Sequence, residues 1–334
     1  MSEKIAILGA GSWGMAIARL LAGNGLAATL WEFDPQDFEI LCSRRGHPDK
    51  LPGIILPESV SITNDPDDAV SDSSLIVLAI PSQALRSALV RLRGRLDHTA
   101  GLVNLAKGIE TTTLSRMSEV ITEELGLSIE NIVTLSGPSH AEEVAKDMPT
   151  AVVAAGGGQL VARVQELFSN RFFRVYQSDD LIGVELGGSL KNIIAIAAGI
   201  ADGLGLGDNT RGAIITRGLA EITRLGVALG ARAETFAGLS GIGDLVTTCT
   251  SRHSRNRFVG DKIGQGQKLS EILAAMHMVA EGVETTRSGY ELATAYSVEM
   301  PITREVYAVL FEEKSPRTAV DDLMGRELKA EIWR

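Results

Sequence analysis

The sequence predicts an α/β fold with a mainly parallel sheet in its first half, joined to an all-helical second half. Three observations carry this reading. Short apolar runs alternate with amphipathic stretches over residues 1–178. Some runs, such as Leu75-Ile76-Val77-Leu78-Ala79-Ile80, are apolar at every position. From Asp179 onward helical patterns follow one another without a convincing strand. Alternating strand and helix signals indicate βαβ units. A strand without a polar face must be covered on both sides, as in a parallel sheet.

The predicted strands are 4–8, 28–31, 75–80, 102–106, 132–135 and 151–155, with helical patterns between most of them. Gly156-Gly157-Gly158 is too short for a linker and reads as a turn. The stretch Gln177-Ser178-Asp179-Asp180 reads as a linker or a helix cap. It divides the chain into units of 1–178 and 179–334. The second unit shows helical patterns over 182–201, 211–229, 269–276, 285–296 and 302–311.

The first strand runs straight into Gly9-Ala10-Gly11-Ser12-Trp13-Gly14, and an apolar stretch at helical spacing follows. A GxGxxG string alone is weak evidence, but strand, loop and helix together give it meaning. Gly9 permits the tight turn, Gly11 lets backbone approach a pyrophosphate, and Gly14 lets helix pack on strand. The helix N-terminus offers N–H groups to the phosphates. The first unit is therefore predicted to be Rossmann-like and to bind a dinucleotide. Glu32 ends the second strand, eighteen residues past Gly14. An acid at that spacing accepts the ribose 2′-OH and favours NAD over NADP. A solvated strand-end charge is the alternative. The arginines nearest in sequence, Arg44 and Arg45, lie on the next predicted helix.

Composition narrows the partners. The 334 residues carry a net charge of −10 and only 4% aromatics. Both argue against broad nucleic-acid binding, through phosphates or through base stacking. Cys42 and Cys249 alone cannot build a disulfide scaffold or a cysteine zinc site, and they fit a reducing compartment. No uninterrupted apolar run has the roughly 18 residues that a membrane span needs, and the chain starts almost directly on a strand, leaving no signal peptide. The histidines at 47, 98, 140, 253 and 277 have no zinc-ligand spacing, so no metal is expected. No GxSxG elbow is present.

The second unit holds the most informative stretch, Gly187-Gly188-Ser189-Leu190-Lys191-Asn192-Ile193-Ile194. A lysine in so apolar a helix either snorkels to the surface or is buried with a lowered pKa suited to acid–base work. Asn192 beside it can orient a hydroxyl or a phosphate oxygen. Lys107 follows the strand 102–106, and Ser136-Gly137-Pro138-Ser139 follows the strand 132–135. Ligands bind outside such carboxyl strand ends. Ser254-Arg255-Asn256-Arg257 combines residue types that bind phosphate. Arg252, Arg255 and Arg257 make it a basic spot in an acidic chain, and a solvated charged loop is the bland alternative.

These residues also carry a family resemblance. The chain resembles the NAD(P)-dependent sn-glycerol-3-phosphate dehydrogenases over nearly its whole length. The matching segments include Gly9 to Gly14, Leu51-Pro52-Gly53-Ile54, Lys107-Gly108, Ser136-Gly137-Pro138-Ser139, Gly188-Ser189-Leu190-Lys191-Asn192, Gly241-Ile242-Gly243-Asp244-Leu245, Ser254-Arg255-Asn256 and Glu281-Gly282-Val283-Glu284-Thr285. The resemblance implies interconversion of dihydroxyacetone phosphate and sn-glycerol 3-phosphate by hydride transfer with NAD(P)H. It implies that Lys191 is the general acid–base, with Lys107 and Asp244 orienting it and the substrate. It implies that Gly137, Ser139 and Asn192 line the substrate site, and that Ser254, Arg255 and Asn256 bind the phosphate. Ser12, Trp13, Phe33, Lys107, Ala141, Arg255, Val279 and Glu281 would face the cofactor. A cytoplasmic homodimer serving glycerophospholipid synthesis is the further implication. Many bacterial members carry arginine or histidine at the position of Phe33, which again favours NAD here. Ser189 and Gly212 replace residues more usual in the family with other small ones. A β-hydroxyacid dehydrogenase and a non-catalytic dinucleotide sensor remain the competing readings.

Overall fold

The computed structural model describes residues 3–331 apart from 98 and 277. Two of the histidines weighed above, 98 and 277, thus lie outside the described residues. Eight strands form one sheet: β1 (Lys4–Leu8), β2 (Ala27–Trp31), β3 (Val60–Thr63), β4 (Leu75–Leu78), β5 (Gly101–Asn104), β6 (Ile132–Ser136), β7 (Thr150–Gly156) and β8 (Phe173–Ser178). Their order is β3-β2-β1-β4-β5-β6-β7-β8. Every neighbouring pair is parallel except β6–β7.

Both faces of the sheet are covered. Ile5 and Ile7 of β1 join Val77, Val103 and Val133 in one apolar cluster. Ala6 and Leu8 join Ile76, Leu78, Leu102 and Ile132 in another. That is why the central strands are apolar throughout. Strands β3 and β8 escape the sequence reading because they lie at the sheet's edges. In β8, Arg174 and Tyr176 point outward while Phe173 and Val175 are buried. Such a strand alternates and carries charge, so it does not stand out as an apolar run. The Gly156-Gly157-Gly158 stretch joins β7 to the helix Gly158–Phe168.

Beyond Ser178 the described residues form helices and connecting loops without strands. The helix Leu181–Gly203 is the axis of this half, buried at every residue from Gly183 to Ala201. It is long and apolar enough to cross a membrane, a length the uninterrupted-run reading missed because Lys191 and Asn192 interrupt the pattern. However, 89% of the qualifying stretch is buried inside the protein. The helix Arg255–Gly264 crosses it at very close range. A Cβ on Gly260 would meet the Ile196 carbonyl oxygen at 2.1 Å, so only glycine allows the approach. This crossing carries Arg255 and Asn256 to the flank of Asn192. At the other end Glu185 accepts hydrogen bonds from the Ser118 backbone N–H at 2.8 Å and its hydroxyl at 2.7 Å, and pairs with Arg116 at 2.7 Å. The helical half is thereby tied to the sheet half. The helices Arg255–Gly264 and Pro316–Met324 were not apparent from apolar periodicity, because both are short and largely polar.

Candidate active site

A cavity of about 580 Å³ lies between the carboxyl ends of the strands and the helical half. Its floor on the sheet side is the loop after β1. Gly9 has φ +106°, and a Cβ there would lie 2.6 Å from the Ala79 carbonyl oxygen. A Cβ on Gly14 would lie 1.9 Å from the Gly9 carbonyl oxygen. Gly11 has open space around it, and no side chain caps the helix Ser12–Gly23 that starts there. Tight turn, open approach and uncapped helix N-terminus together fit a pyrophosphate.

Glu32 is buried rather than solvated. Its Oε2 lies 2.8 Å from Lys50 Nζ, and its Oε1 accepts from the Asp34 N–H at 3.1 Å. Lys50 also pairs with Asp37 at 2.6 Å, and Asp37 meets His47 Nε2 at 2.9 Å. Burial works against the Lys50 ammonium, but Asp37 and Glu32 outweigh it and hold its pKa up. The cation beside Glu32 is therefore Lys50, not Arg44 or Arg45. Sequence reading missed it because a loop, not a helix, returns Lys50 to the end of β2. Phe33 is 63% exposed at the cavity rim, 6.3 Å from the Trp31 ring.

Across the cavity Lys191 is buried, so it does not snorkel. Its Nζ lies 2.5 Å from Asp244 Oδ1 and donates to Thr248 Oγ1 at 2.7 Å. Lys107 Nζ holds the other oxygen, Oδ2, at 2.7 Å and donates to the Gly137 carbonyl at 2.9 Å. Burial lowers the Lys191 pKa to about 8 against the opposing pull of Asp244. Burial pushes Asp244 the other way, yet the two ammonium groups hold its carboxyl below the ordinary range. The result is an ammonium poised to lose its proton near neutral pH, beside a carboxylate that stays charged.

Asn192 donates to the Lys107 carbonyl at 3.3 Å and accepts from Asn256 Nδ2 at 2.8 Å. Ser254 caps the helix Arg255–Gly264 by accepting from the Arg257 N–H at 3.2 Å. Arg255 lines the cavity and donates to the Val279 carbonyl at 2.8 Å. The basic spot read from sequence does not assemble as a unit. Arg257 turns away to pair with Asp202 at 2.6 Å, and Arg252 does not line the cavity. Ser139 and Ala141 line the cavity, whereas Gly137 acts through its carbonyl, which receives Lys107 and the Ser139 hydroxyl. Glu281 accepts from the Ser82 N–H at 3.0 Å and from the Ser82 hydroxyl, which fastens the helix Glu281–Ala295 to the end of β4. Thr248 ends the stretch Gly241 to Thr248, which the sequence reading also placed at this crevice, whereas Ser82 was not singled out and no local pattern marks it. Among the described residues no cluster of three potential metal ligands occurs.

A glycine cradle at the first strand and a buried lysine–carboxylate pair facing it define an NAD(P)-dependent dehydrogenase. The comparisons with known proteins specify which. The model of the NAD-dependent glycerol-3-phosphate dehydrogenase N-terminus matches residues 4–160, and that of its C-terminus matches residues 180–321. The glycerol-3-phosphate dehydrogenase [NAD(P)+] of Geobacter sulfurreducens is 53% identical over 335 residues, covering 100% of both chains. That of a Thermoanaerobacter species is 53% identical over 98% of this chain and 99% of its own. The crystal structure of glycerol-3-phosphate dehydrogenase from Coxiella burnetii superposes with a TM-score of 0.94 at 39% identity, covering 97% of this chain and 99% of the other. The chain belongs to the NAD-dependent glycerol-3-phosphate dehydrogenase family.

Proposed function

We propose that this enzyme reduces dihydroxyacetone phosphate to sn-glycerol 3-phosphate, and runs the reverse oxidation, with Lys191 as the proton-transfer group. The bound nicotinamide supplies or receives the hydride. In reduction the Lys191 ammonium gives a proton to the carbonyl oxygen as negative charge builds there. In oxidation the neutral amine takes the hydroxyl proton. One observation carries the assignment: the only lysine buried in the helix Leu181–Gly203 faces the cavity with its pKa lowered to about 8. A donor with a pKa near the working pH is most effective in both directions.

Asp244 keeps the amine oriented, and Lys107 adds positive potential beside the developing oxyanion. Arg255 and Asn256, at the start of their helix, suit the substrate's phosphate, whose binding fixes the reacting carbon against Lys191. Gly9, Gly11 and Gly14 suit the cofactor's pyrophosphate. Glu32 suits its adenosine ribose, with Phe33 at the rim, and both favour NAD over NADP. Trp13, Ala141, Val279 and Glu281 complete that side. The division at 178/179 separates a cofactor half from a substrate half. A homodimer, a cytoplasmic location and supply of glycerol 3-phosphate for glycerophospholipids belong to the same reading.

The test is oxidation of NADH or NADPH, followed by near-ultraviolet absorbance, with dihydroxyacetone phosphate. Rapid loss of NADH supports the reading. Loss with a β-keto acid and not with dihydroxyacetone phosphate would replace it by a hydroxyacid dehydrogenase. Binding of cofactor without turnover of either would replace it by a sensor.

A further inference from the structure

The histidines at 140 and 253 were set aside as metal ligands, yet the fold brings them together. His140 precedes the short helix Ala141–Val144 after β6. His253 precedes the Ser254 cap of the helix Arg255–Gly264. Their ring centroids are 5.8 Å apart with planes tilted by 52°. Both rings line the active-site cavity, which Lys191 and Arg255 also line. One ring comes from the sheet half and the other from the helical half. His140 Nε2 is buried and has no hydrogen-bond partner among the described residues. A buried ring nitrogen without a partner is costly, and a ligand that supplies one is favoured.

The charges nearby point to the kind of ligand. Lys107 and Lys191 share one carboxylate, Asp244. Arg255 lies within the field of Glu281 and Glu142. Two ammonium groups against one carboxylate leave net positive charge facing the cavity, which suits a phosphate dianion, and imidazole N–H donors in the same cavity add hydrogen bonds to it. We propose that His140 and His253 form a jaw across the crevice, each donating a ring N–H to the phosphate of the substrate. This inference rests on the reading of the cavity as a site for a phosphorylated three-carbon substrate.

The free enzyme holds His140 below its ordinary pKa, first through burial and then through Lys191 and Lys107, against the weaker pull of Glu142 and Glu143. Those groups, with His253, are the titratable neighbours that face it. Arrival of a dianion opposes Lys191 and Lys107 and raises the His140 pKa. Substrate binding near pH 7 then draws a proton from solution.

The experiment compares the intact enzyme with His140→Gln and His253→Gln. Steady-state rates are measured from pH 6 to 8.5, with NADH affinity by fluorescence as the control for folding. The jaw predicts a KM for dihydroxyacetone phosphate raised about tenfold in each variant. It predicts kcat within about threefold and an unchanged NADH Kd. Calorimetry of glycerol 3-phosphate binding to the NADH-loaded enzyme, a pair that cannot exchange hydride, in two phosphate-free buffers of different ionisation enthalpy, then reads proton uptake. Uptake in the intact enzyme and its loss in His140→Gln support the jaw. An unchanged KM in both variants, or uptake unaffected by His140→Gln, overturns it while leaving the reaction in place. Failure of the intact enzyme to turn over dihydroxyacetone phosphate overturns the reaction and the jaw together. If His140→Gln fails the NADH control, the KM of His253→Gln decides.

Discussion

Asp244 Oδ1 lies 2.5 Å from Lys191 Nζ, although the two residues are 53 positions apart on different helices. The carboxylate does two things at once. It keeps a buried ammonium from being uncompensated, and it holds that ammonium at one place in the cavity. Neither effect is strong enough to cancel desolvation, which is why the amine titrates near neutrality instead of in the ordinary lysine range.

The first expectation concerns that titration. With Lys191 lowered to about 8, kcat/KM for reduction falls as pH rises through about 8, because the proton donor is lost. The oxidation does the opposite, since it needs the free amine. Asp244→Asn removes the charge that supports the ammonium, so the inflection moves to lower pH. pH profiles of both directions check this, and an inflection that stays in place in Asp244→Asn would remove Lys191 as its source.

Lys191→Ala deletes the donor but nothing on the cofactor side of the cavity. The expected loss in kcat is about 10²–10⁴-fold. NADH affinity, measured by fluorescence titration, should remain within a few-fold. Near-normal turnover would assign the proton to another group.

Arg255→Ala removes a guanidinium from the phosphate end. A hydrogen bond to a charged group contributes about 1.5–3 kcal/mol, so the KM for dihydroxyacetone phosphate should rise about 10–100-fold. An unchanged KM would take Arg255 out of the phosphate site.

Glu32 and Lys50 set the expectation for the coenzyme. Lys50 is occupied by Glu32 and Asp37, so a 2′-phosphate would meet a carboxylate rather than a free cation. NADH should be preferred. The double change Glu32→Ser with Phe33→Arg should leave Lys50 paired with Asp37 alone, add a guanidinium, and raise kcat/KM for NADPH relative to NADH by tenfold or more. Comparison of the two coenzymes in the intact and changed enzymes decides it.

Stability offers a separate test in the helical half. Glu221 is buried on the helix Gly207–Ala228 and accepts from the Ile302 N–H at 2.7 Å and the Thr303 N–H at 3.1 Å. Burial pushes its pKa up to about 7 from 4.5. A raised folded-state pKa means that its favourable contribution is fully present below about 4.5 and is lost as pH rises through about 7. Between pH 5 and 8 the intact protein should lose a few kcal/mol, roughly, relative to Glu221→Gln in urea unfolding. Parallel stability curves for the two proteins would show that Glu221 does not titrate in this range.

Much of the site was legible because its signals are local. Gly9, Gly11 and Gly14 announce a cradle because their spacing directly after a strand and before a helix is itself a local pattern. Lys191 stands out because its helix is otherwise apolar. Lys50 was not legible: it reaches Glu32 by a loop whose path no periodicity describes. The separation of Arg257 from Arg255 was equally hidden, because Asp202, its partner, lies 55 residues earlier. His140 and His253 looked unrelated, since nothing in the spacing of two loops records that their ends meet.

The sequence by itself thus determined the layers, the direction of the central strands, the cofactor cradle and which lysine interrupts the apolar helix. Those follow from burial patterns and backbone sterics, which act over short stretches of chain. Tertiary structure alone decided that Lys107 and Lys191 share the Asp244 carboxylate, which cation stands beside Glu32, and that Arg257 turns away to Asp202. Each of these is a contact of a few ångströms between distant segments. It depends on how closely helices cross, as at Gly260 and Ile196, and a difference of one helix turn would reassign every partner.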